Sequence, residues 1–239
     1  VYKRQTENSG VWAPGVAAGL PANSISNQFA FLGAVSCASG NDCAAVGYYV
    51  VDGSGDTQAL LVTEASGTWG PGAEAIAPAG AASIPNTILS SVWCSSAGNC
   101  FAAGGYTDSA SDKQGVLLAE SSGMWAPGVE VSPPANAGPN PFAFPKSISC
   151  SSAGNCSAVG FYQDGSSDLE GLLLDTQHTL TVSKAGTGGG TITTTDGEVN
   201  CGGGCSHAYA QGKIVTLTAA PAPGSVSYTH LTLPTILRV

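Results

Sequence analysis

Three stretches of this 239-residue chain are near-copies of one another, and each carries two cysteines six positions apart: SCASGNDCAAVGYY (36–49), WCSSAGNCFAAGGY (93–106) and SCSSAGNCSAVGFY (149–162). Their first cysteines, Cys37, Cys94 and Cys150, set a period of 57 and then 56 residues. A fixed period of this size marks a repeat architecture, one supersecondary unit stacked several times.

Each repeat reads as four short strands. An apolar stretch leads into the first cysteine (31–37, 88–94, 144–150), and a Gly-Asn turn follows at Gly40-Asn41, Gly98-Asn99 and Gly154-Asn155, which is hairpin chemistry. The second cysteine opens a strand that ends at Tyr49, Tyr106 or Tyr162. An Asp/Gly/Ser turn (52–56, 108–112, 164–168) leads to a continuous apolar run, 59–63, 115–119 or 171–174, whose lack of alternation predicts burial on both faces. A fourth strand starts at the tryptophan of SGTWGPG (66–72) or SGMWAPG (122–128), and SGVWAPG (9–15) is the same strand without the rest of its repeat. Four strands per unit joined by hairpin turns match one blade of a β-propeller. The expected fold is all-β: a partial β-propeller of three four-stranded blades plus one leftover strand in an open arc, followed by a small truncated β module.

The ends read differently. VYKRQ (1–5) and SVSYTHLTLPTILRV (225–239) match nothing beside them and read as translated sequencing-adapter scars, an ordinary apolar strand being the alternative for the tail. Between them the repeats take residues 6–177 (a partial one at about 6–30, then 31–87, 88–143 and 144–177), and a second module takes 178–224. With the ends set aside, four lysines face sixteen carboxylates, a net charge of −12. Such a chain repels phosphate backbones and anionic lipid, which argues against nucleic acid as a partner. No apolar run approaches the ~20 residues of a membrane span, so no membrane insertion is expected. Eight cysteines fall into four close pairs, Cys37–Cys43, Cys94–Cys100, Cys150–Cys156 and Cys201–Cys205. An even count in close pairs argues for disulfides and an oxidising, secreted or cell-surface location.

The repeat, in the form Ser-Cys…Cys-x-Ala-Val-Gly…Leu-Leu…Gly-x-Trp over about residues 6–177, resembles a blade type of secreted proteins from soil bacteria. That resemblance implies a β-propeller and an extracellular address but no particular activity. The third repeat lacks its Trp strand, and the N-terminal one could fill the gap. From His178 the chain is similar to the divergent internalin B-repeat family of bacterial surface proteins, on Leu180-Thr-Val, the Gly-rich turn at 186–191, Cys201, Cys205 and Val215-Thr-Leu-Thr-Ala-Ala-Pro. The family's aromatic-rich second half does not follow. Such modules act mostly as stalks or interaction units.

Candidate chemistry is sparse. Asp52 with Asp56, Asp108 with Asp112 and Asp164 with Asp168 could turn carboxylates toward calcium, which prefers oxygen ligands, but Asp and Gly are also the ordinary residues of a hairpin tip. Cys201-x3-Cys205-x-His207 lacks the fourth ligand a zinc site wants, and the glycines at 186–190 lack a phosphate loop's Gly-Lys-Ser/Thr ending. The Ser-Gly-x-Trp turns resemble the Asp-box turn of sialidase-type propellers, except that Asn8, Ala65 and Ser121 stand near the expected Asp. A serine triad needs a histidine beside a serine, and the two histidines outside the terminal scars are His178, at the domain junction, and His207, in the second module. The three repeated tyrosines either line a sugar- or peptide-binding face or pack the blade. No cofactor and no catalytic residue is expected. The sequence therefore points to a bacterial surface fragment that binds a protein or glycan partner. The alternatives are the non-catalytic or remote part of a secreted hydrolase or lyase, and a purely structural spacer.

Overall fold

Each cysteine-bearing repeat folds into one antiparallel sheet in the computed structural model, which describes residues 3–4, 7–8, 11–12, 14–25, 29–51, 55–201, 205–210 and 214–225. Every regular element among them is a strand. Sheet I orders Ala30–Ser39, Asp42–Val50 and Thr57–Ala65; sheet II, Ile88–Ser96, Asn99–Thr107 and Lys113–Ser121; sheet III, Phe144–Ser152, Asn155–Gln163 and Leu169–Asp175. The chain divides into two compact units, Val1–Leu174 and Asp175–Val239.

The cysteine spacing follows from the first hairpin. Cys37 faces Cys43, Cys94 faces Cys100 and Cys150 faces Cys156 in direct register, with Cα atoms 3.9, 4.0 and 3.9 Å apart and the sulfurs at disulfide distance. Each first strand carries two bulges at equivalent places, at residues 33 and 38, 90 and 95, 146 and 151. Bulges bend a strand toward its partner. Opposite the first bulge stands Gly47, Gly104 or Gly160, where an added Cβ would overlap the carbonyl oxygen of Phe31, Ile88 or Phe144. The glycine that ends Ala-Val-Gly in the first and third repeats and Ala-Ala-Gly in the second is therefore required by a crossing backbone.

The expected fourth strand is broken in two. Thr68–Trp69 pairs with the end of the third strand and Ala73–Glu74 with its middle, and Met124–Trp125 and Val129–Glu130 repeat this in sheet II. Pro71 has no N–H for the ladder, so the Gly-Pro-Gly between the halves loops out. Ser66 and Gly67, and likewise Ser122 and Gly123, both have positive φ (50° and 79°, 53° and 80°), the pattern of a type I′ hairpin turn. Among the described residues sheet III holds its three long strands alone. At the N-terminus Glu7–Asn8 pairs with Val11–Trp12 and Lys3–Arg4 with Val16–Ala17. These are the registers of Glu64–Ala65 with Thr68–Trp69 and Leu60–Leu61 with Ala73–Glu74, one period earlier. The leftover strand thus carries the end of a third strand with it.

The sheets of the first unit stack by one rule. Ala44, Val46, Ala59 and Leu61 of sheet I pack on Leu89, Val92, Cys94 and Ala102 of sheet II. The equivalent Phe101, Ala103 and Leu117 of sheet II pack on Ile148, Cys150 and Ala158 of sheet III. Burying each large aliphatic side chain contributes roughly 1.5–3 kcal/mol. Polar clamps cross both interfaces, at positions that are not equivalent: the Ser36 hydroxyl accepts the Cys94 N–H (3.0 Å) and the Ser91 hydroxyl the Ile148 N–H (3.1 Å). From the connecting segments, the Asn86 side-chain carbonyl accepts the Thr57 N–H and that of Asn140 accepts the Lys113 N–H, both at 3.1 Å. The apolar run 59–62 is buried on both faces as its lack of alternation predicts. The same reading fails in sheet III, where Leu172 is buried but Leu173 is 79% exposed, because the described residues of the first unit supply no further sheet to cover it.

The second unit is a smaller β module. Gln177–Val182 pairs with Cys205–Ala210, and Gly190–Thr194 sits between Asn200–Cys201 and Leu217–Pro221. Leu180, Val182, Val199, Cys201 and Tyr209 form its core, and Cys201 and Cys205 are paired with their Cα atoms 5.8 Å apart, within disulfide reach.

Candidate functional site

The three repeated tyrosines end their strands with the ring buried and the hydroxyl committed to a hydrogen bond. Tyr49 donates to Glu74 Oε2 (2.6 Å) and also lies 2.9 Å from the Asn23 side-chain carbonyl, while the Asn23 amide donates to the same Glu74 oxygen. Tyr106 donates to Glu130 Oε2 (2.6 Å), and Tyr162 to Asn136 Oδ1 (2.9 Å). Burial, then the neighbouring carboxylate, pushes the Tyr49 and Tyr106 hydroxyls well above the ordinary tyrosine range. Each tyrosine thus pins the short outer segment or the incoming loop onto its sheet. The acceptors escaped sequence reasoning, although a signal was present. Glu74 and Glu130 are one period apart, and Asn23 and Asn136 are two.

The candidate calcium turns are closed by their own first carboxylate. Asp108 Oδ1 accepts the N–H groups of Ala110 and Asp112 (both 2.9 Å), and Oδ2 accepts from the Gln114 amide (3.0 Å). That Gln114 contact, followed by the backbone donors, holds the Asp108 carboxyl below its usual range. Asp164 accepts from Ser166 and Asp168 in the same way, again at 2.9 Å. The first sheet departs from the alignment of Asp52 with these residues. Val51, which bridges Ser24 as Asp108 bridges Ala81, takes the equivalent place, and its N–H bonds Asp56 across a loop one residue longer. Asp52 itself lies outside the described residues. Among the described residues no group of three or more His, Cys, Asp or Glu side chains is placed to hold a metal ion.

The side chain missing from the Asp-box-like turn comes from elsewhere in the sheet. Asp42, on the first hairpin, accepts the Ser66 N–H through Oδ1 (3.2 Å), and Asn99 does so for Ser122 (3.4 Å). The Ser39 hydroxyl first, then the Ser66 N–H, hold the Asp42 carboxyl low. At the same end of sheet II, Glu120 faces Trp125 in register, and both its carboxylate oxygens and the indole N–H are buried without a hydrogen-bond partner. Burial pushes the Glu120 carboxyl up; Thr63, approaching from sheet I short of a full hydrogen bond, pulls slightly the other way.

In the second unit His207 sits 3.4 Å from Glu198 and tilts its ring 4.7 Å from Tyr209. The glycine run borders an open cleft of about 660 Å³ lined by residues 183–192, 219–221 and 224–225, where the Lys184 ammonium donates to the Gly190 carbonyl (2.8 Å). No protein-family model, curated protein or solved structure matches the chain.

Proposed function

We propose that the chain is a non-catalytic binding and scaffold part of a secreted or cell-surface protein. In this reading the three stacked sheets are blades of a propeller-like head, the second unit belongs to a stalk, and the partner is a protein or a glycan. The observation that carries the reading is the use of the repeated polar side chains. Tyr49, Tyr106, Asp108 and Asp164 each close a hydrogen bond within their own repeat, and Tyr162 closes one to the segment that leads into its sheet. Recognition then falls to surface positions that differ between repeats, as suits a rigid scaffold carrying variable contacts. The cysteine pairs at disulfide distance fit an extracellular setting.

The test is retention of the purified full chain on an array of cell-wall polymers, polysaccharides and extracellular matrix proteins, read beside an assay for released reducing ends and peptides. Saturable retention without product release is expected. Product release that scales with protein concentration would replace the binding role with a catalytic one.

A further inference from the structure

The first unit contains one type of sheet-on-sheet interface twice, and it exposes both halves of that interface once more at its two ends. Val92 and Ile148 are buried under the preceding sheet, at 7% and 8% exposure, whereas their equivalent in sheet I, Val35, is 61% exposed. Val46 and Ala103 are fully buried under the following sheet, whereas their equivalent in sheet III, Val159, is exposed. Leu61 is likewise buried and its sheet III equivalent Leu173 is not. Glycine reports the same difference. A Cβ on Gly115 would meet Pro145 Cδ of sheet III and Val131 Cγ2, both at 2.9 Å, while one on Gly171 would meet nothing within 4 Å.

We propose that the protein associates with itself head to tail, the exposed face of sheet III in one copy stacking on the exposed face of sheet I in the next. A second copy is the fitting occupant because it brings the surface that each end lacks, in the geometry already used between sheets I and II and between II and III. Strand pairing points the same way. Among the described residues sheet III has no outer segments on its third strand, while Val11–Trp12 and Val16–Ala17 hold the registers of those segments. When Leu169–Asp175 of one copy takes the place that Lys3–Arg4 and Glu7–Asn8 occupy beside them, Val16 and Ala17 of the next copy come opposite Leu173 and Leu172. The contact is heterologous, so it extends into rings or filaments instead of stopping at a symmetric pair. The net charge of −9 opposes it at long range, so added salt strengthens it.

The test is sedimentation velocity of the full chain across the micromolar range at moderate salt, with Val35→Lys and Leu173→Lys alone and mixed. Both positions are exposed, so near-ultraviolet circular dichroism should be unchanged; Val159→Lys stands in should Leu173→Lys melt lower. The wild type is expected to grow beyond a monomer with concentration. Each variant alone should stay monomeric, because every copy has lost the same half. The equimolar mixture should form a one-to-one complex and stop there, joining the intact sheet III face of Val35→Lys to the intact sheet I face of Leu173→Lys. A wild type that stays monomeric, a variant that associates on its own, or a mixture that stays monomeric would each overturn the proposal.

Discussion

Replacing Gly104 with alanine adds one methyl group where the chain has no room for it. The new Cβ would overlap the Ile88 carbonyl oxygen and stand 2.8 Å from Leu89 Cα and 2.9 Å from the Ile88 carbonyl carbon. All three are backbone atoms of the strand that packs against both neighbouring sheets, so relief requires that strand to move. Overpacking of this kind costs about 1–3 kcal/mol, and fixed backbone neighbours put Gly104→Ala at the upper end. The alanine recovers about 0.4–1 kcal/mol by restricting the unfolded chain, leaving a net loss of roughly 2 kcal/mol. In a unit of this size that lowers Tm by about 4–8 °C. Gly171→Ala is the control: its Cβ meets nothing within 4 Å, and its Tm should hold or rise slightly. Scanning calorimetry of the two variants beside the wild type is the assay. A Gly104→Ala melt within about 1 °C of wild type would show that the crossing at the bulge is not the reason for the glycine.

Tyr49 and Tyr106 bind their protons more tightly in the folded than in the unfolded chain, so their contribution is intact below the ordinary tyrosine value of 10.0 and is lost as pH rises above it. Urea midpoints measured on either side of that value should fall in the wild type and fall less in Tyr49→Phe/Tyr106→Phe; parallel slopes would remove the tyrosines as the cause. Glu120 is likewise a carboxyl raised by burial, so the folded chain loses stability as pH climbs from the ordinary glutamate value of 4.5. Glu120→Gln should gain about 1–3 kcal/mol at neutral pH and little in acid, by chemical denaturation; equal effects at both would refute a charged, unsatisfied carboxylate. The denatured, unreduced chain should show almost no free thiol. In the folded chain Cys37, which is exposed, should reduce and alkylate before the buried Cys94, Cys100, Cys150 and Cys156, as mass mapping of the labelled peptides would reveal. Uniform labelling would contradict this order.

The sequence by itself determined what is local. Two cysteines six apart around a glycine-bearing turn set a tight hairpin, although the turn falls at Ala97-Gly98 and Ala153-Gly154 in the later sheets, where Asn99 and Asn155 already open the second strand. An apolar run that does not alternate marked the third strand of each sheet. The 57- and 56-residue period likewise defines the three sheets before any contact is known. Tertiary structure decided what depends on distant partners. It split the Trp strand at Gly70-Pro71-Gly72 and brought Asp42 and Asn99 to turns more than twenty residues away. It set Val51 rather than Asp52 at the position equivalent to Asp108 and Asp164. It also gave the repeated tyrosines carboxylate and amide acceptors from outer segments and incoming loops. Leu61 and Leu173 occupy equivalent positions in almost the same local sequence, yet one is buried and the other is 79% exposed. Backbone pattern sets which way a side chain points; only the neighbouring sheet decides whether water is there to meet it.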